Sequence, residues 1–133
     1  MVADTHIVIW YLLNSTKLSA QATSALEECV AAGEPIRVSA HSLIELVYAV
    51  ERANNPFSAA DRRAILETFD AEDSPFEIVP VTAQIANQVA SVPRITNADP
   101  GDRIIVATAE VLGMTVVSAD PKFPAMTEMT VIA

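Results

Sequence analysis

Residues 99–120 read DPGDRIIVATAEVLGMTVVSAD, and the order of signals in this stretch points to the fold class. Asp99 suits an N-cap, Pro100 the first helical position, and Asp102 the positive helix end, so a helix is predicted over 100–113. A strand follows at 115–119, and Asp120 comes directly after it. Working outward, 76–81 reads as a strand, 83–91 as a helix and 130–132 as a last strand.

In the N-terminal half a very short apolar start, Val2 and Ala3, precedes a helix over 5–14. Ser19 caps an alanine-rich helix that stops at Gly33, and 36–39 reads as a strand. Leu43, Ile44, Val47, Tyr48 and Val50 recur at helical spacing over 41–54 until Asn54-Asn55-Pro56 ends the helix. Ser58 then caps a helix through about Asp70. Helices alternating with short strands imply an α/β fold with a parallel sheet, helices on both faces and ligands beyond the carboxyl ends of the strands.

The residues at those ends are acidic: Asp4, Glu45, Asp99, Asp102 and Asp120. Each also has a purely structural reading. Asp4 can cap a helix. Glu45, on an otherwise apolar stretch, must reach solvent, a partner or a metal to escape a desolvation penalty, and His41 one turn earlier is a possible partner. Asp99 and Asp102 can serve as caps of one helix, and Asp120 can form a turn before Pro121. Ser118 projects to the same side as Asp120 if the strand persists that far.

Carboxylates gathered in one pocket repel by roughly 4 kcal/mol per close pair at an effective dielectric near 20, so such a cluster calls for cations. Oxygen-only ligands point to Mg²⁺ or Mn²⁺ rather than zinc.

Bulk properties set the frame. A chain of 133 residues, 51% hydrophobic, with no repeats and three glycines, is expected to form a single domain over 1–133. A lone cysteine, Cys29, excludes a disulfide scaffold and a zinc ribbon. The apolar run 7–13 is too short to span a bilayer and lacks a basic leader, so a cytoplasmic protein with no membrane contact is expected. The net charge of −9 argues against a nucleic-acid partner unless bound cations invert the local field, and it would attract a basic protein.

Asp-Thr-His at 4–6, Ser-Leu-Ile-Glu at 42–45, Asp-Pro-Gly-Asp-Arg-Ile-Ile-Val-Ala-Thr-Ala at 99–109 and Ser-Ala-Asp-Pro-Lys-Phe at 118–123 together resemble the PIN-domain family, in its VapC-type toxin branch. The resemblance implies a three-layer α/β/α sandwich around a central, mostly parallel sheet. It implies a catalytic, metal-binding quartet of Asp4, Glu45, Asp102 and Asp120, with Ser118 as a polar helper and Asp99 and Arg103 in support. The implied activity is RNA cleavage by a metal-activated water, as the toxin half of a pair with a cognate antitoxin. Helices 41–54 and 58–70 would form the arm that builds a homodimer and grips that antitoxin.

Two departures stand out: three residues before Asp4 suggest a clipped first strand, and Gly101 replaces a frequent Phe, which suggests looser packing near Asp102.

Arg103 is expected to pair with Asp99, His6 and His41 to be structural, Trp10 and Tyr48 to be core or interface, and Cys29 a small buried apolar residue. A haloacid-dehalogenase-type phosphatase would need Asp where His6 stands, and a phosphoacceptor receiver would need an Asp at the end of the strand near Val79. Glycine-loop nucleotide folds lack their motif. The remaining alternative is an inert PIN-fold module that only docks a partner.

Overall fold

The computed structural model describes residues 1–95 and 99–133. Its strands are β1 (Val2–Ala3), β2 (Ile36–Ser39), β3 (Phe76–Val79), β4 (Val116–Val117) and β5 (Val131–Ile132). They form one sheet in the order β3-β2-β1-β4-β5, and all its pairings are parallel. The helices are α1 (Thr5–Leu12), α2 (Ala20–Ala31), α3 (Ala40–Glu51), α4 (Ala59–Asp70), α5 (Ala83–Gln88) and α6 (Pro100–Leu112).

Two apolar cores flank the sheet, giving the three layers. One joins Ile7, Leu26, Leu46 and Ile65 of α1 to α4, and the other joins Ile85 of α5 to Ile105 and Val106 of α6 and to Phe123. Adjacent strand residues serve opposite cores: Ala3 and Val117 belong to the first, Val2 and Val116 to the second. That is the alternation of a strand buried on both faces.

β1 is short, yet it is the central strand. Val2 is in register with both Arg37 and Val116, and Ala3 with Val117. Both residues are fully buried, so the few residues before Asp4 do not displace the strand from the sheet.

Local chemistry fixes the helix ends. The Ser19 hydroxyl accepts from the Ala22 amide at 3.0 Å, and Ser58 with Asp61 makes a capping box. Gly113, at φ 65°, ends α6 in the left-handed region that glycine adopts without a Cβ penalty.

Several elements are shorter than their sequence signals. The strand at 76–81 stops at Val79, because Pro80 has no amide for a ladder. The strand at 115–119 narrows to Val116–Val117, leaving Ser118, Ala119 and Asp120 in the loop beyond it. The helix at 83–91 closes as the 3₁₀ turn Val89–Ser91. Among the described residues no helix is long and apolar enough to cross a membrane.

Candidate active site

A cavity of about 510 Å³ opens at the carboxyl edge of β1 and β4, lined by Asp4, Glu45, Asp99, Asp102 and Asp120, with His6, Trp10, Arg52 and Lys122 around it. Four separate elements bring these acids together.

Asp4 closes β1 at the N-cap position of α1, but its carboxylate makes no capping bond. It accepts instead from Ser118 Oγ at 2.9 Å, and the Asp120 amide donates to the same Oγ at 3.2 Å. Ser118 therefore ties two acids together from a loop residue that is itself buried. Asp4 is 6% exposed, and burial raises its carboxyl pKa while the Ser118 hydrogen bond partly offsets this.

Glu45 projects from α3. Thr5 Oγ1 lies 3.1 Å from Glu45 Oε1 and 2.7 Å from Ser42 Oγ, a small network among residues of α1 and α3. His41 Nε2 lies 3.6 Å from Glu45 Oε1, an ion-pair separation longer than a hydrogen bond. Burial, followed by the nearby Asp4, Asp99 and Asp102, pushes the Glu45 carboxyl up to about 7 against the pull of Thr5.

At the start of α6 the structural reading of both acids holds in full. Asp99 Oδ1 accepts from the Gly101 amide at 2.8 Å, and Asp102 Oδ2 from the Asp99 amide at 3.2 Å. Asp102 faces the cavity as well, and burial together with repulsion from Asp4, Asp120 and Asp99 raises it to about 6. Asp120 makes the expected turn, accepting the Lys122 amide at 2.9 Å, and its other oxygen lies 3.3 Å from Lys122 Nζ.

Three expectations need correction. Arg103 does not reach for Asp99: its Nη2 donates to the Val89 and Val92 carbonyls, each at 2.9 Å, and so pins the 3₁₀ turn after α5 to α6. Gly101 does not loosen the site. A Cβ there would stand 2.6 Å from His41 Nε2 and 3.1 Å from Glu45 Oε1, because the imidazole occupies the space a larger residue would fill. Cys29 is half-buried, not fully buried, with Sγ 3.4 Å from the Glu34 carbonyl oxygen.

Tyr48 is 58% exposed on α3, beside the exposed Ile44 and Val47. Trp10 packs partly on the first core and partly lines the cavity. Thr5 and Ser42 were missed as network members, although both lie inside the quoted motifs. Their signal was a hydroxyl beside each acid in a buried first helical turn.

Among the described residues, no three His, Cys, Asp or Glu side chains already surround a point where a metal would sit. The donor set nevertheless suits a hard divalent cation: it is all oxygen, and its members raise one another's pKa, a repulsion that a dication would relieve. Asp4, Glu45 and Asp102 each use one carboxylate oxygen in these bonds, to Ser118, Thr5 and the Asp99 amide, and would hold an ion through the other.

The sequence matches the PIN domain family over residues 1–129, and the chain belongs to that family. No curated protein matches it in sequence. The fold is shared with VapBC2 from Rickettsia felis bound to a promoter DNA fragment, at 20% identity and a TM-score of 0.68, covering 98% of this chain and 95% of that one. It is likewise shared with FitAcB from Neisseria gonorrhoeae, at 21% identity and 0.68, over 99% and 96% of the two chains. VapBC-5 from Mycobacterium tuberculosis, of a toxin-antitoxin family, is similar at 22% identity and 0.62, over 98% and 95%.

Proposed function

We propose that this single-domain chain is a metal-dependent endoribonuclease and the toxin half of a toxin-antitoxin pair, with Asp4, Glu45, Asp102 and Asp120 holding Mg²⁺ or Mn²⁺. The observation that carries this is the convergence of four carboxylates, from β1, α3, α6 and the loop after β4, on one open cavity. Asp4, Glu45, Asp102 and Asp120 would hold the dication, which would supply Lewis-acid chemistry by lowering the pKa of a water and offsetting charge on the phosphoryl group.

This chain's own residues do the rest. Ser118 holds Asp4 and the Asp120 backbone in one arrangement, Thr5 holds Glu45, and the α6 cap sets the height of Asp102. Asp99 is a positioning residue through that cap. Arg103 fixes α6 from behind.

The relatives of known structure are VapBC and FitAcB assemblies, which supports an antitoxin as partner. The exposed Ile44, Val47 and Tyr48 of α3 supply an apolar surface for a homodimer. Purified protein incubated with single-stranded RNA in Mg²⁺, Mn²⁺ or EDTA tests the activity, beside Asp4→Asn and Asp102→Asn. Metal-dependent cutting lost in both variants supports the reading. No cutting by folded, antitoxin-free protein in either metal overturns it in favour of an inert docking module.

A further inference from the structure

The acid cavity continues into a second groove of about 900 Å³, and His6, Trp10 and Arg52 line both. Away from the acid quartet the groove runs between α1 and the turn joining α3 to α4, past Asn14, Lys17 and Asn54 to Asp61, whose carboxylate is engaged in the α4 capping box. Its walls are built firmly. Asn55 Nδ2 donates to the Ala49 carbonyl at 2.6 Å and its Oδ1 accepts the Phe57 amide at 3.0 Å, while the Arg52 amide donates to Tyr48 O at 3.0 Å. These bonds fix the root of Arg52 at the junction of the two cavities.

The Arg52 side chain has no assigned task in the fold. Among the described residues its guanidinium makes no hydrogen bond or ion pair, whereas Arg37 sits by Glu77 and Arg103 is held by carbonyls. Trp10 is half-buried, with its ring 5.8 Å from that of His6 at a 49° tilt. An aromatic platform, a fork-shaped cation and side-chain amides beside a row of carboxylates form a set suited to one nucleotide of an unpaired strand.

We infer that this groove is a nucleotide subsite of the nuclease, in which Trp10 stacks a base next to the cut and Arg52 takes that nucleotide's phosphate. The inference rests on the ribonuclease reading and deepens it. A polyanion entering an acid cluster is repelled there, so the Arg52 cation at the mouth biases which phosphate is seated. Stacking on an indole requires an unstacked base, which selects single-stranded over duplex substrate. A basic or apolar protein segment is the competing occupant. The groove favours RNA because its shared wall is aromatic and cationic and is continuous with the acids.

Trp10 is the only tryptophan in the chain, so its emission reports the groove directly. The test uses a cleavage-blocked Asp102→Asn protein in Mg²⁺, titrated with a dye-labelled, unstructured hexanucleotide RNA, reading Trp10 emission and dye polarisation together. Saturable quenching in step with polarisation is expected. Arg52→Ala should weaken binding about tenfold, with Arg52→Lys recovering part of it. In the cleaving protein, Arg52→Ala should raise KM about tenfold and leave kcat within about twofold. Trp10→Ala, or Trp10→Phe where the alanine variant fails to fold, should weaken binding read by polarisation, the phenylalanine less because it keeps a smaller stacking ring.

RNA bound by polarisation with unchanged emission, or a wild-type KM in Arg52→Ala, overturns the subsite while metal-dependent cutting keeps the nuclease. Quenching by an antitoxin peptide but not by RNA makes the groove a protein-docking site and also overturns it. Absence of any cutting by wild-type protein removes the nuclease reading and the subsite with it.

Discussion

Ser118 holds the two ends of the chain together at one hydroxyl. It donates to Asp4 and accepts from the Asp120 amide, so Ser118→Ala leaves a buried carboxylate without its side-chain donor. That hydrogen bond opposes the burial that raises Asp4, and its loss pushes Asp4 higher still. The expected outcome is a pH profile of metal-dependent cleavage displaced toward alkali, measured under limiting Mg²⁺; an unmoved profile would separate Ser118 from Asp4.

Gly101 and His41 make a second residue-scale pair. Gly101→Ala forces the imidazole and Glu45 to shift, so cleavage should fall at least tenfold for a modest stability loss of about 1 kcal/mol. His41→Ala opens the space, and the double variant should be more stable than the two single losses added together. Additive losses would show that His41 does not fill the Gly101 space.

The sequence could show which residues are acidic and which follow strands. It could not show that Arg103 would turn to Val89 and Val92, because that choice depends on how the chain folds back after α5. Nor could it show that His41 takes the room left by Gly101, since the two are distant in sequence and meet only when α3 packs near α6.

At the scale of elements, the caps were the most legible features. Ser19, Ser58 and Asp99 all cap as their spacing indicates, since a cap needs only local sequence. Strand ends were less legible. β4 keeps two ladder residues because its extent is set by pairing with β1, itself two residues long.

Ser58 gives a control at this scale. Ser58→Ala removes one side of the α4 capping box and should cost about 1 kcal/mol, read as a lower midpoint in urea. Because Ser58 does not line the acid cavity, kcat of the remaining folded protein should be unchanged. Because Asp61 of the same capping box lines the neighbouring groove, KM is read beside kcat, and a loss of kcat at full folding would mean that α4 acts on the acid cavity itself.

Across the whole molecule, charge governs two expectations. Glu45 and Asp102 are raised to about 7 and about 6 from 4.5 and 3.8, so the folded state holds protons that the unfolded chain has released. These groups therefore stabilise fully only below the unfolded values, and their contribution is lost progressively as pH rises from about 4 through about 7. In EDTA the Tm should fall across that window by roughly 3 °C, a fall that Glu45→Gln reduces. Mg²⁺ should restore it above neutrality, because metal replaces the proton. A Tm that rises over the same interval would contradict this.

The net charge of −9 sets the second expectation. If Arg52 and Lys17 are the cations that touch phosphate, log K against log salt should slope only about −1.4 for single-stranded RNA, far shallower than for basic nucleic-acid binders. A slope near −5 would point to a wider cationic surface.

β1 lies between β2 and β4, and the Ser118 bond to Asp4 spans 114 positions. Translation delivers Asp4 and Glu45 before the fourth acid and the serine that aligns the first, which come only with residues 118–120. If the quartet is the metal site, that site stays incomplete until those residues have been translated. On the proposed reading, a message broken before that point yields a fragment that lacks part of its metal site.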